Sequence, residues 1–145
     1  ITTEGGLDVA GQVVRLTEVV QTMHAKGIRV SMFIDPEPGQ VEASVKSGAD
    51  AVELHTGAYA NAIGAKADRE LSRLWDCAEM VAETSMELHA GHGLTVRNLL
   101  PVARMPFLHE VNIGHDIMAR ALFIGIDAAV KEILGVLRDV EMAFD

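Results

Sequence analysis

Hydrophobic residues recur along this chain with two different spacings, which predict a regular alternation of helices and strands. A spacing of three or four positions begins after Asp8 and ends at Gly27, which predicts a first amphipathic helix. Further helices are predicted at about 40–47, around 71–82, from an N-cap at Thr95 to about Arg104, at 116–123 and around 130–140. Four short apolar runs typical of buried strands lie between them, at 28–34, 51–55, 86–90 and 110–113.

An initial helix followed by four strand–helix units predicts an α/β fold with a parallel sheet and right-handed crossovers. Four units suit either an open doubly wound sheet or one half of a (β/α)8 TIM barrel. Polar residues at every strand end favour the barrel, whose chemistry lies at the carboxyl ends of its strands. A full barrel needs about 250 residues, so we expect residues 1–145 to be a single-domain fragment, with the rest of the barrel upstream of Ile1.

Composition narrows the possible partners. The net charge of −9 argues against binding to nucleic acid or to an anionic membrane, both of which need a basic face. A small phosphorylated substrate remains compatible, because backbone dipoles can hold phosphate locally. The single cysteine, Cys77, lies in an apolar helical run and is predicted to be a core residue. There is no apolar stretch of membrane-spanning length and no signal-peptide pattern, so we expect a cytoplasmic protein.

Ionisable and amide side chains gather at the predicted strand ends. Because side chains alternate along a strand, Glu53 and His55 share one face, and the cost of burying a charge under helices places Glu53 in the barrel lumen. Carboxylate and imidazole groups that converge there suit general acid–base catalysis. The full set is Asp35, Glu53, His55, His89, His92, Asn112 and His115.

Each of these residues also has a structural interpretation. A histidine at a strand end is often simply hydrogen-bonded, and His115 could be a helix N-cap, whereas two flanking glycines leave His92 accessible. Asp35, in an Asp-Pro-Glu-Pro turn, is expected to be solvated or capping. Only His89 and His92 approach metal-ligand spacing, and they do so across a turn, so we expect no metal.

Two glycine turns of similar sequence follow the third and fourth strands. Gly91 and Gly93 flank His92 in the first turn, and Gly114 precedes His115 in the second. Glycine lets main-chain N–H groups approach a ligand, and the start of a helix favours an anion. Neither turn contains lysine. We therefore predict a phosphate held by backbone donors between Gly93 and Gly114–His115.

Five blocks of the chain together resemble the pyridoxine 5′-phosphate synthase family. The resemblance implies a transferase of vitamin B6 biosynthesis, built as a (β/α)8 barrel that usually forms an octamer. It also implies condensation of 3-amino-2-oxopropyl phosphate with 1-deoxy-D-xylulose 5-phosphate, without a cofactor. This chain would supply strands and helices 5–8, the C-terminal half, and the general bases would lie in the other half. The blocks are 2–12, 31–35, 53–60, 90–95 and 112–115.

The resemblance also implies roles for individual residues. His92 would be the proton donor, and Glu53 the carboxylate that stabilises the transition state. Gly93, Gly114 and His115 would bind the aminooxopropyl phosphate, and Thr2 would contact the deoxyxylulose phosphate. His89 and Val96 stand where the family commonly has asparagine and an aromatic residue.

Two other interpretations remain open from the sequence. One is a different phosphate-binding barrel, an aldolase or an isomerase. A Schiff-base aldolase would need lysine at a strand end, and no predicted strand here ends in lysine. The other is a non-catalytic half-barrel that associates with a second copy of itself.

Overall fold

The computed structural model describes residues 5–144, and the side chains of residues 5–140. It contains one sheet of four parallel strands, with helices between them. The strands are β1 (Ser31–Ile34), β2 (Ala51–His55), β3 (Glu87–Gly91) and β4 (Leu108–Asn112). The helices are α1 (Val13–His24), α2 (Pro38–Ser47), α3 (Gly57–Ala60), α4 (Ala65–Ala82), α5 (Leu99–Ala103), α6 (His115–Ile124) and α7 (Ile126–Phe144), and a 3-10 turn at Ala10–Gln12 precedes α1. The predicted α/β class and parallel sheet are confirmed.

The four strands lie side by side in the order β1-β2-β3-β4, which is also their order along the chain. A doubly wound sheet reverses its strand order at a switch point, and the described strands show no reversal. Consecutive parallel order is what one half of a barrel has. The pairing places Phe33 opposite Glu53, and Glu53 opposite His89. Side chains at the same height therefore form rows across the sheet.

One face of the sheet packs into the hydrophobic core. Its buried side chains include Ile34, Leu54 and Leu88, which pack with helix residues such as Leu74. The opposite face carries polar and only partly buried groups. Cys77 is buried in the core, as predicted. Burial raises the pKa of the Cys77 thiol to about 11, so the thiol stays protonated and unreactive at neutral pH.

Glycines end two of the helices as the sequence predicts. Gly48, with φ +79°, follows α2, and Gly125, with φ +82°, separates α6 from α7. Both have a positive φ, which favours glycine, and Gly48 adopts the left-handed helical conformation of a typical C-cap. The first strand is shorter than predicted, because Val30 bonds to Asp50: its N–H donates to the carboxylate at 2.6 Å, and its carbonyl accepts from the Asp50 N–H at 2.9 Å.

The predicted N-cap at Thr95 is wrong. The helix starts at Leu99, and its N-cap is Asn98. The Asn98 side chain explains the difference: its oxygen accepts the Thr95 N–H at 2.7 Å, and its amide donates to the Gly93 carbonyl at 3.1 Å. These bonds hold the segment after Gly93 as a turn. The first glycine turn therefore does not open directly into a helix, whereas the second does.

In the described part of the chain, no helix has the length and apolar character needed to cross a membrane.

Candidate functional site

A cleft of about 520 Å³ opens at the carboxyl ends of the four strands. The side chains or backbones that line it include Glu53 from β2 and the turns after β3 and β4. Parallel strands bring their carboxyl ends to one edge, which is why residues 20 to 60 positions apart meet there. The predicted site residues Glu53, His92, Gly93, Gly114 and His115 all line this one cleft. Thr2 lies outside the described residues.

Glu53 projects from the middle of β2 on the face of the sheet opposite the core. The Asn112 amide donates to its carboxylate at 3.2 Å, and His89 stands opposite it on β3. Burial raises the pKa of the Glu53 carboxyl above its ordinary value, and the Glu110 carboxylate acts in the same direction, against the opposing effects of His89 and Asn112. The group therefore keeps its proton to a higher pH than a glutamate in water.

Gly91 makes room for the Glu53 carboxylate. A Cβ built on Gly91 would fall on one of the Glu53 carboxylate oxygens, and would also lie 3.1 Å from the Asn112 side chain. The absence of a side chain at position 91 is thus a packing requirement of the neighbouring strand. The sequence suggested a different reason, the approach of a ligand.

The turn that carries His92 has an unusual backbone. His92 has φ +83° and Gly93 has φ +76°, so two consecutive residues are left-handed. In a non-glycine residue this conformation is strained, and it persists only where the surrounding structure enforces it. Buried Thr56 enforces it here: its hydroxyl lies 2.7 Å from the Gly91 carbonyl and 2.6 Å from the His92 carbonyl.

Two further polar residues lie behind His92. The rings of His55 and His92 are 4.8 Å apart and meet edge to face, at 64°. The Asp35 carboxylate lies 2.9 Å from Nδ1 of His55 and accepts the N–H of Gly6 at 3.2 Å. The sequence analysis missed the roles of Asp35 and Thr56. The alternation that placed Glu53 and His55 on one face also places Phe33 and Asp35 beside them on β1, and this signal could have identified Asp35.

The second glycine turn is less constrained. Gly114 is the N-cap of α6, and its φ of −113° is open to any residue. A Cβ built on Gly114 would have no atom within 4 Å. His115 is the first residue of the helix and not its N-cap, which excludes the structural role considered for it. The unpaired N–H groups at the start of this ten-residue helix are available to an anion.

His89 does not belong to the cleft lining. Its ring lies 3.5 Å from a Glu87 carboxylate oxygen and 4.0 Å from Glu110, and it stacks on His109 with a centroid distance of 6.0 Å. Across residues 5–144, no group of three or more His, Cys, Asp or Glu side chains is arranged to hold a metal ion.

Comparison with known proteins supplies a family. The model of the family described as "Pyridoxal phosphate biosynthesis protein PdxJ" matches residues 1–139. Pyridoxine 5′-phosphate synthase of Rhodopirellula baltica is 48% identical over 143 residues, which are 99% of this chain and 58% of that protein. The synthase of Magnetococcus marinus is 48% identical over 140 residues, covering 96% and 58%. The synthase of a Synechococcus species is 51% identical over 133 residues, covering 91% and 56%.

The chain thus spans somewhat more than half the length of these relatives. Among solved structures, it is similar to one described as an Amycolatopsis orientalis BexX/CysO complex. The TM-score is 0.63 and the sequence identity 16%, over 94% of this chain and 52% of the other. At this identity the likeness concerns the fold alone.

Proposed function

The chain belongs to the PdxJ family of pyridoxal phosphate biosynthesis proteins, and from this premise we propose that it is the C-terminal half of a pyridoxine 5′-phosphate synthase. The synthase would be a transferase that condenses 3-amino-2-oxopropyl phosphate with 1-deoxy-D-xylulose 5-phosphate, releasing phosphate and water. One observation carries the proposal beyond the family match. The five described residues to which the resemblance gives a role line a single cleft at the strand ends.

The proposal treats β1 to β4 as strands 5 to 8 of a (β/α)8 barrel. Support comes from their consecutive parallel order and from the polar face opposite the core, which would be the lumen. Glu53, His89 and Glu110 stand in one row on that face. The relatives, of which this chain matches 56–58%, have room for the other four strands. An octamer and a cytoplasmic location belong to the same proposal.

His92 is the proposed proton donor. Ring closure requires carbonyl addition, elimination and repeated proton transfers, and an imidazole suits such transfers near neutral pH. The backbone conformation at His92, held by Thr56, directs the residue to the cleft. Glu53 would face positive charge that develops in the transition state, from a position fixed by Asn112 and by the space that Gly91 leaves.

The phosphate of the aminooxopropyl substrate is assigned to Gly93, Gly114 and His115. The cleft lining contains neither lysine nor arginine among the described residues, so backbone N–H groups at the start of α6 would supply the donors. Thr2 is proposed as a contact to the deoxyxylulose phosphate. The general bases of the reaction are assigned to the other half of the barrel, so we expect residues 1–145 alone to be inactive.

A hybrid enzyme tests this proposal. The chain replaces the matching 143 residues of the R. baltica synthase, and the purified hybrid is assayed for pyridoxine 5′-phosphate formation. We expect turnover within roughly tenfold of the parent enzyme, since most substitutions away from a site change little. The same hybrid with His92→Asn is the control. A folded hybrid that binds neither substrate would contradict the proposal.

The alternatives have less support. The three relatives reported above are all named pyridoxine 5′-phosphate synthase, which does not favour an aldolase or an isomerase. A self-associating half-barrel would form a symmetric dimer of the chain alone. Its signature would be a stable dimer without the other half, measured by light scattering.

A further inference from the structure

Three polar side chains from three neighbouring strand ends form a row that leads from behind the cleft to its lining. Asp35 follows β1, His55 ends β2 and His92 follows β3. The Asp35 carboxylate is 2.9 Å from Nδ1 of His55, and the His55 ring is 4.8 Å from that of His92. His55 is only 8% exposed and is not among the residues that line the cleft. It therefore reaches a bound substrate only through His92.

The hydrogen bond to Asp35 determines which nitrogen of His55 carries the proton. A carboxylate accepts, so Nδ1 of His55 carries the hydrogen and Nε2 is left with a lone pair. Nε2 is buried, and no described residue donates to it. A buried polar atom without a partner is uncommon and calls for an explanation.

Gly57 shows where that lone pair is directed. A Cβ built on Gly57 would lie 2.6 Å from Nε2 of His55 and 3.0 Å from Cδ2 of His92. Both rings therefore pack on the same point of the backbone, and their contact depends on the missing side chain. Gly57 has no left-handed φ, so its own conformation does not require glycine.

We infer that Asp35 and His55 are positioning residues for His92, and that together they hold its imidazole in the orientation for proton donation. The inference rests on the proposed role of His92. The hydrogen bond to the Asp35 carboxylate orients the His55 ring, and the His92 ring packs against it. The charged or titratable groups that face His55 are Asp35 from β1, Glu53 from β2 and His92 from β3. The ring of Phe33 also packs on His55, with 5.2 Å between the two ring centroids.

Asp35→Asn in the hybrid synthase is the first test. Asparagine keeps an oxygen for the Gly6 N–H and for Nδ1 of His55, but it removes the charge. We expect kcat to fall by roughly 10–100-fold with KM nearly unchanged, because a misplaced catalytic group affects the transition state. The NMR signal of the His92 ring should also change, since the His55 ring that packs against it loses its charged partner.

Gly57→Ala tests the ring contact without changing any charge. The added methyl must push the two rings apart, and alanine is otherwise suited to a helix. We expect the same fall in kcat and a changed NMR signal for the His92 ring. The matched control is Gly135→Ala, in helix α7, where a Cβ would meet nothing within 4 Å and φ is ordinary. It should leave kcat, KM and the His92 signal unaltered.

The outcomes separate this inference from the proposed function. If His92→Asn leaves kcat unchanged, the proposed function fails, and the NMR signal of His92 still reports on its contact with His55. If His92→Asn abolishes turnover while Asp35→Asn and Gly57→Ala leave both kcat and the His92 signal unchanged, the positioning role is overturned. Circular dichroism confirms that each variant is folded.

Discussion

The turns after β3 and β4 have similar sequences, but they differ in backbone conformation and in packing. The first has two consecutive left-handed residues, a threonine hydroxyl bonded to its carbonyls, and a histidine packed against another ring. The second has an ordinary backbone at Gly114, and its neighbourhood leaves space for a side chain. Gly93 in the first turn has no such space, since a Cβ there would lie 2.7 Å from that of Ala60.

This contrast shows that a glycine beside a ligand site can be required for either of two reasons, the fold of the protein or the space for the ligand. At Gly93 the protein itself requires glycine, through φ and through packing. At Gly114 nothing in the described chain does, so the requirement, if the proposed site is correct, comes from the phosphate. The two turns therefore have distinct tasks in the proposed enzyme: the first fixes a catalytic ring and the second leaves room for an anion.

His92→Asn should produce the largest effect. Loss of the proton donor is expected to lower kcat of the hybrid synthase by roughly 10²–10⁴, with little change in KM. Folding should be unaffected, because asparagine tolerates a left-handed φ as well as histidine does. The comparison variant is His115→Asn, which should raise KM more than it lowers kcat. Equal kcat values for wild type and His92→Asn would contradict the assignment.

Gly93→Ala should be the next largest effect, on stability. A left-handed alanine that also collides with Ala60 is expected to lower the free energy of unfolding by about 2–4 kcal/mol. Gly114→Ala should cost less than about 1 kcal/mol, the cost of a poorer N-cap. Urea titration of both variants measures the difference, and similar losses in the two would contradict the contrast.

Two variants test the proposed phosphate site at the second turn. Gly114→Val should abolish phosphate binding, because a branched side chain would occupy the space of the anion, whereas Asp116→Asn should change it little. Calorimetric titration of the hybrid with the aminooxopropyl phosphate measures both. Unchanged affinity in Gly114→Val would place the phosphate elsewhere.

Thr56→Val should have an intermediate effect. Valine keeps the shape of threonine but leaves the partly buried His92 carbonyl without its hydroxyl donor, at a cost of about 0.5–1.5 kcal/mol in the free energy of unfolding. The Gly91 carbonyl still accepts the backbone N–H of residue 56 at 2.8 Å. Thr56→Ser restores the hydroxyl and should recover most of the lost stability. Unchanged stability in Thr56→Val together with a loss in Thr56→Ser would show that the methyl group, and not the bond, stabilises the turn.

Glu53→Gln should have the smallest effect on stability, with a defined dependence on pH. Because burial raises the pKa of Glu53 in the folded state, the folded protein binds more protons than the unfolded one between the two pKa values, and stability falls as pH rises through that window. Glutamine removes this loss. The variant should therefore be the more stable protein at pH 7 and should show no difference below about pH 4, where both states are protonated. A pH-independent difference in urea titrations would exclude this explanation.

The sequence predicts the outline of this molecule because the outline depends on local patterns. Apolar runs followed by polar residues identified the strand ends, and the cost of burying a carboxylate placed Glu53 on the correct face of its strand. The error at the start of helix α5 concerns side-chain bonds within one turn. Thr95 and Asn98 are both suitable N-caps, and the bond from Asn98 back to Gly93 decides between them.

The support behind the site depends on contacts between residues far apart in the sequence. Thr56 looks like any residue that follows a strand, yet its partners lie 35 and 36 positions away. Asp35 looks like an acid in a proline turn, and only the sheet register brings it to His55. The positive φ of His92 could not be predicted locally, because the bonds that hold it come from Thr56, which follows a different strand.

The fit between Gly91 and Glu53 restricts how this protein can change over generations. A side chain at position 91 would displace the Glu53 carboxylate, which is the mobile end of its side chain, so Gly91→Ala moves that carboxylate from its present place in the cleft. Shortening Glu53 first also removes the carboxylate from the cleft, so every single-step path to a larger residue at 91 crosses a variant with an altered site. The effect of a change at either position therefore depends on the residue at the other. Descendants with a side chain at 91 are therefore expected to be copies in which the carboxylate at 53 no longer has its original role.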